Sequence, residues 1–269
     1  MRVAMPARPK VAYDVTVIHD CIVRDTDIYR NFKTKARKLS LYREKQKLLN
    51  RHPEIMQLID ATYVQSLDEK RGQYVAKVGW LPAGMVITDP RIREMCRNMF
   101  TLPRAYTEAT GVSFGPCPGH GKMSACPPYS FTAQEAREKL DQADIFIAIQ
   151  SRDFLEPPEH RGWQDHIVNK FRTAIKNAAG EESVVAAFGA GPCQLCHPNP
   201  CLGSGECRMP EHRVFALESC GIPVIQLCRD MALVTGDKDW ETTFAKYFAT
   251  PRQTKKEWKL TFGLAVKLK

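Results

Sequence analysis

The chain has 269 residues, a hydrophobic share of 43% and a formal net charge of +9, enough for one large or two modest cores. It has no run of about 18 apolar residues, which excludes a bilayer-spanning helix, and its opening, MRVAMPARPKVAYDV, lacks the apolar stretch of a secretory leader. A cytoplasmic protein is expected, so its ten cysteines read as ligands, reactive thiols or small buried residues rather than a disulfide framework.

Charge divides the chain into three. Residues 1–110 carry 20 Lys and Arg against 12 Asp and Glu, residues 111–235 carry 11 against 14, and residues 236–269 carry 8 against 4. The expected organisation is a basic, mainly helical N-terminal region (1–110), an α/β cysteine-rich metal-binding domain (111–235) and a basic C-terminal extension (236–269). Residues 25–50 are rich in Lys, Arg, Leu and Glu and free of Gly and Pro, which predicts a helix with Leu39, Tyr42 and Leu49 on one stripe. A second helix is expected from Pro53 through HPEIMQLIDATYVQSLDEK. QYVAKVGWLPAGMVI reads as strand and turn. DPRIREMCRNMF reads as a helix capped by Asp89, with Pro90 at its first position.

From Gly111 the chain is punctuated by Gly and Pro up to Phe131. Thr132 and Glu135 then stand in capping-box register for a helix. DIFIAIQ is a short apolar run expected as a buried strand. GWQDHIVNKFRTAIKNAAG is expected as a helix closed by Gly180, and SVVAAFGAG as a second buried strand. PEHRVFALESCG is expected as a helix and IPVIQLC as a third strand. Strands alternating with helices predict an α/β fold with a largely parallel sheet, in which ligands collect beyond the carboxyl ends of the strands.

The cysteine loop lies at such a strand end. GPCQLCHPNPCLGSGECRMP places Cys193, Cys196, Cys201 and Cys207 at the spacing Cys-x2-Cys-x4-Cys-x5-Cys. Gly and Pro let the backbone wrap tightly, and four thiolates suit either a tetrahedral zinc or an iron–sulfur cubane. Structural zinc sites usually pair two Cys-x2-Cys knuckles. A single knuckle followed by wider gaps favours a [4Fe–4S] cluster modestly. Upstream, CPGHGKMSACPPY holds Cys117 and Cys126, with His120 and Lys122 between them. This pair reads as extra cluster ligands, a redox thiol pair or a second metal site with His120, though His120 also fits an ordinary polar turn. With DIFIAIQ and SVVAAFG as parallel neighbours, the loops at their carboxyl edge share one space, so this turn is expected to fold over the cysteine loop and to bring Cys117 and Cys126 close to it.

These motifs together resemble the cysteine-rich family of predicted metal-binding proteins, domain of unknown function 2284, from anaerobic bacteria and archaea. The likeness rests on Cys117-Pro118 with Gly121-Lys122, then Cys126-Pro127-Pro128. It continues through Gly191-Pro192-Cys193 with Cys196, then Cys207-Arg208 with Pro210-Glu211, and Glu218 with Gly221-Ile222, and it covers about residues 111–228. The resemblance implies a bound metal, an iron–sulfur cluster foremost, and a place near corrinoid-dependent methyl transfer in anaerobic one-carbon metabolism. This chain departs from the family at Gly115-Pro116, where relatives often carry another cysteine, and at Val214-Phe215-Ala216, where they read Arg-Pro-Ser.

The leading expectation is an iron–sulfur protein that transfers electrons to a protein redox partner or activates a small-molecule substrate at the cluster. Were it an enzyme, it would be an iron–sulfur redox enzyme or accessory reductase. A zinc-stabilised module is the alternative, with Lys33, Lys35, Arg37, Lys38, Arg43, Lys45 and Lys47 meeting nucleic acid or an acidic protein. Sparse stacking aromatics and an acidic metal segment disfavour nucleic acid. A metal-delivery or maturation factor working through Cys117 and Cys126 is the third reading. Cys21, Cys96, Cys220 and Cys228 are expected as buried structural thiols.

Overall fold

The computed structural model describes residues 22–32, 34–60, 63–66, 73–98, 100–101, 114–117, 119–153, 161–193, 195–196, 199, 201–203, 207–241 and 258–268. The helices are α1 (Asp27–Asn31), α2 (Lys35–Leu49), α3 (Pro53–Asp60), α4 (Pro90–Asn98), α5 (Ala133–Asp141), α6 (Arg161–Ala179) and α7 (Val224–Thr235). The strands are β1 (Tyr63–Ser66), β2 (Gln73–Pro82), β3 (Phe100–Thr101), β4 (Phe114–Gly115), β5 (Ile145–Asp153), β6 (Val184–Gly189), β7 (Phe215–Ala216) and β8 (Trp258–Val266).

Six strands form one sheet in the order β1-β2-β5-β8-β6-β7, and β3 pairs with β4 separately. The α/β class holds, but the sheet is mixed and mostly antiparallel, with β6 and β7 as its parallel pair. The expected largely parallel sheet fails for a physical reason. β5 and β6 point the same way, but β8 lies between them and pairs antiparallel with both. β2 adds a further antiparallel neighbour on the other side of β5. Strands from all three charge regions therefore share one sheet.

Side chains alternate across it, as a period of two requires. On β5, Ile145, Ile147 and Ile149 enter one cluster with Ile55 and Ile59 of α3 and with Ile167, Phe171 and Ile175 of α6. Phe146 and Ala148 enter the other, with Ala136 and Leu140 of α5 and Leu227, Cys228 and Met231 of α7. The result is helix, sheet, helix in three layers.

Local chemistry sets the helix ends. Thr132 and Glu135 form the expected capping box, with Glu135 N donating to Thr132 Oγ1 at 3.1 Å and Thr132 N to Glu135 Oε2 at 2.7 Å. Asp89 Oδ1 accepts from Arg91 N at 2.8 Å, as expected for the start of α4. The single helix expected over 25–50 is two, because Thr34 starts α2 by accepting from Arg37 N. The second expected helix stops at Asp60, and β-prone Tyr63 and Val64 open β1. IPVIQLC is not a strand: Val224, Leu227, Cys228 and Met231 repeat at helical spacing and form the buried face of α7. PEHRVFALESCG is not one helix. Its apolar residues Val214 to Leu217 are consecutive, and the segment becomes a short turn, β7 and a second turn.

The basic face of α2 is partly spoken for. Lys38 is 5% exposed, and its Nζ lies 2.5 Å from Asp230 Oδ1 of α7, which also accepts from Gln226 Nε2 at 3.0 Å. Burial raises the Asp230 carboxyl above its ordinary pKa, against the pull of Lys38. Lys45 pairs with Asp144 at 2.9 Å. Lys35, Arg37, Arg43 and Lys47 are exposed, and Lys33 lies outside the described residues. Removing one member of a buried pair strands the other charge. Asp230→Ala is therefore expected to lower unfolding free energy by about 3–5 kcal/mol, whereas Lys38→Met with Asp230→Leu stays close to the parent, both read by urea denaturation.

Candidate metal centre

β6 ends at Gly189, and among the described residues the chain next enters the sheet at β7, which pairs parallel to it. The cysteine loop is the excursion between these two strands. Gly191, at φ 148, and Gly203, at φ 57, take backbone conformations that side chains disfavour. Cys193, Cys196, Cys201 and Cys207 line one cavity together with Ser124, Leu195, Met209 and Arg213.

Helix α6 holds the far end of the excursion. Asn169 Nδ2 donates to His212 O at 3.1 Å, and the buried Arg172 donates to Glu211 O and, at 3.0 Å, to Arg213 O. The turn 119–131 closes over the near side. Ser124 N donates to Cys201 O at 3.1 Å, Gly203 N to Lys122 O at 2.7 Å, and Met123 bridges Leu202. Arg213 donates to Ser124 O and Tyr129 O, so one guanidinium joins the turn to the exit of the loop. The turn thus meets the cysteine loop through its backbone, without the parallel neighbouring strands expected to bring them together. From that turn, Ser124 lines the cavity, and Cys117 and Cys126 do not. His120 is half-buried and carries no contact that marks it as a ligand.

Arg93 was not legible as a site residue. It lies on α4 and donates to Ser130 Oγ at 2.7 Å, Phe131 O at 3.2 Å, Ser219 O at 2.6 Å and Pro128 O at 3.0 Å. It anchors the exit of the Cys126 turn. Neither its spacing nor its neighbours in sequence signal this role. The same is true of Arg172 and Asn169, which look like ordinary positions on an amphipathic helix.

The thiols differ in their electrostatics. The Arg208 backbone N–H holds the Cys201 thiol below its ordinary pKa, helped by the Arg208 side chain and the thiols of Cys196 and Cys207. Burial pushes the Cys207 thiol up, against the Met209 N–H. Hydrogen bonding to Cys201 and Cys196 raises the fully exposed Arg208 guanidinium. Donors aimed at sulfur stabilise thiolate, the form that binds metal. Cys220 contrasts with these: burial pushes its thiol up to about 12. No disulfide joins the nine described cysteines.

The donor set therefore fits a thiophilic metal. The cavity is small, about 10 Å³, so a group larger than one ion must turn the thiols outward around it. Among the described residues no three His, Cys, Asp or Glu side chains are arranged to hold a single ion. Either kind of group requires the loop to adjust, and its glycines permit that.

Fold and site define a class: a three-layer α/β protein with a loop bearing four thiols at the carboxyl end of a buried strand. The family described as "Predicted metal-binding protein (DUF2284)" matches residues 109–247, just over half of the sequence, and the chain belongs to that family. No curated protein and no solved structure matches it. Among the described residues no helix is long and apolar enough to cross a membrane.

Arg93→Lys keeps the charge and loses the planar fork. A stability loss of about 1–3 kcal/mol is expected, together with faster amide hydrogen exchange in residues 125–131. Unchanged exchange there would show that Arg93 does not anchor the turn.

Proposed function

We propose that the chain is an iron–sulfur protein in which Cys193, Cys196, Cys201 and Cys207 ligate a [4Fe–4S] cluster that exchanges electrons with a protein partner. One observation carries the reading: four thiols from one loop line a single cavity while backbone N–H groups of Arg208 and Met209 point at two of them. Such hydrogen bonds to sulfur offset negative charge and help set the reduction potential of a thiolate cluster. Four thiolates leave no iron open, which suits electron transfer better than substrate activation.

The rim supports a protein partner. Leu202 is 63% exposed and Met209 37%, an apolar lip beside the cavity. Exposed Lys122 and Arg208 flank it. An apolar centre with cationic edges suits an acidic redox protein, whose encounter such charges would steer. The basic helix α2 retains exposed cations that could serve the same end, but Lys38 and Lys45 are engaged within the fold.

A zinc-stabilised module is the second reading, favoured by the small cavity. Anaerobic purification separates the two. The cluster reading expects brown protein with iron and acid-labile sulfide in equal amounts and an electron paramagnetic signal on reduction. Each single Cys→Ser change at the four loop positions is expected to bring iron below half of the parent's. Colourless protein with stoichiometric zinc, or full iron in all four variants, would reject it.

A further inference from the structure

Among the described residues, the cavity that the four loop thiols share has one cationic side chain in its wall, Arg213. Arg213 follows the turn Pro210–His212 and precedes β7. Its backbone is held at both polar groups: N donates to Pro210 O at 3.3 Å, and O accepts from Arg172 of α6 at 3.0 Å. The side chain is half-buried. It crosses to the turn 119–131, where it donates to Ser124 O and, at 3.3 Å, to Tyr129 O. Its guanidinium lies over the Phe215 ring at 4.5 Å.

These contacts leave a donor and a charge without partners. Nε is buried and makes no hydrogen bond, a costly state for a polar group that has given up its water. The charge is uncompensated too: among the described residues no carboxylate pairs with Arg213, whose partners are two carbonyls and a ring. Arg91 and Arg137, by contrast, each meet an aspartate. What shares the cavity wall with Arg213 is four thiols, and the cavity is about 10 Å³, so the groups in its wall stand close together. Burial raises the Cys207 thiol pKa, and the Arg213 charge works against that rise.

We infer that Arg213 is the cation that sets the reduction potential of the group held by Cys193, Cys196, Cys201 and Cys207. The inference rests on the cluster reading given above and adds the residue that compensates its negative charge. Four thiolates make the site anionic, and an electron delivered by the protein partner adds a further negative charge. Arg213 stabilises the reduced state more than the oxidised one, because its attraction grows with that charge. Its free Nε–H is a donor available to the same group. Net charge and hydrogen bonds at the sulfurs are among the determinants of such potentials. Arg208 also donates toward the loop thiols, but from a fully exposed position, where salt screens its charge. Arg213, half-buried between turn and loop, is screened less. Its hydrogen bonds to Ser124 O and Tyr129 O hold the charge in place, so the turn decides where the cation stands.

The test compares midpoint potentials of anaerobically purified full-length protein, with iron and acid-labile sulfide counted in each sample. Arg213→Gln removes the charge. At the parent's midpoint its ratio of reduced to oxidised protein is expected to fall about tenfold, the lower end of what a hydrogen bond to a charged group contributes. That is a potential about 59 mV more negative for a one-electron couple. Arg213→Lys keeps the charge and loses the planar fork, so its potential is expected to stay near the parent's. Both variants weaken the hold on Ser124 O and Tyr129 O, and faster amide hydrogen exchange in residues 124–129 is expected of both. A purely structural latch would therefore move both potentials alike. An unchanged potential in Arg213→Gln overturns the inference, and so does an equal shift in the two variants. If Arg213→Gln does not retain iron, an Arg208→Lys protein labelled at its arginine guanidinium nitrogens carries the test. Electron–nuclear double resonance is then expected to show arginine nitrogen coupled to the reduced cluster, and absence of that coupling overturns the inference. Parent protein without iron and sulfide rejects the cluster reading itself, a result the metal count gives before any potential is measured, and the inference falls with it.

Discussion

A loop of glycine and proline presents carbonyl oxygens with no ladder to receive them. Here arginine guanidinium groups supply the partners. Arg172 receives the end of the cysteine loop, Arg213 joins that end to the turn above it, and Arg93 fixes the exit of the turn. A guanidinium suits this work because its planar fork serves several acceptors at once and stays charged when partly buried. Arg213 also lies over the Phe215 ring at 4.5 Å, which supports its charge from below. The thiols have no regular structure to position them, so their placement depends on these side chains.

Much of the fold was legible where one residue type decides a local question. The α4 cap at Asp89, the capping box of α5, the buried β5 and β6 and the glycine closing α6 all follow from local chemistry. What escaped was partner choice. β8 lies in a stretch whose charge drew attention, yet Leu260, Phe262, Leu264, Ala265 and Val266 are buried within it. A short apolar run does not say whether it is strand or buried helix, and α7 is the case that went the other way. Nor does a pattern of strands and helices reveal that a later strand enters between two earlier ones.

The site was legible in composition and only partly in geometry. Four thiols at close spacing in a loop rich in glycine and proline raise the expectation of a common ligand, and all four line one cavity. The backbone of the Cys126 turn meets the loop through Ser124, Lys122 and Met123, although the parallel pairing of β5 and β6 that would have brought them together is absent. Its thiols, Cys117 and Cys126, do not line the cavity that the four loop thiols share. The difference is between backbone and side chain: hydrogen bonds of the backbone bring the turn to the loop, and from the turn it is Ser124 that lines the cavity.

The position of β8 bears on how the molecule is made. A ribosome delivers β5 and β6 long before β8, so the two strands emerge with facing edges that have no hydrogen-bond partner yet. Unpaired strand edges are templates for association with other chains, and contacts between residues distant in sequence form slowly. The nascent protein therefore passes through an interval in which its cysteine loop exists while the sheet that carries it is incomplete. Chaperone engagement during that interval, and metal loading only after it, would keep reactive thiols from being committed to a scaffold still lacking its central strand.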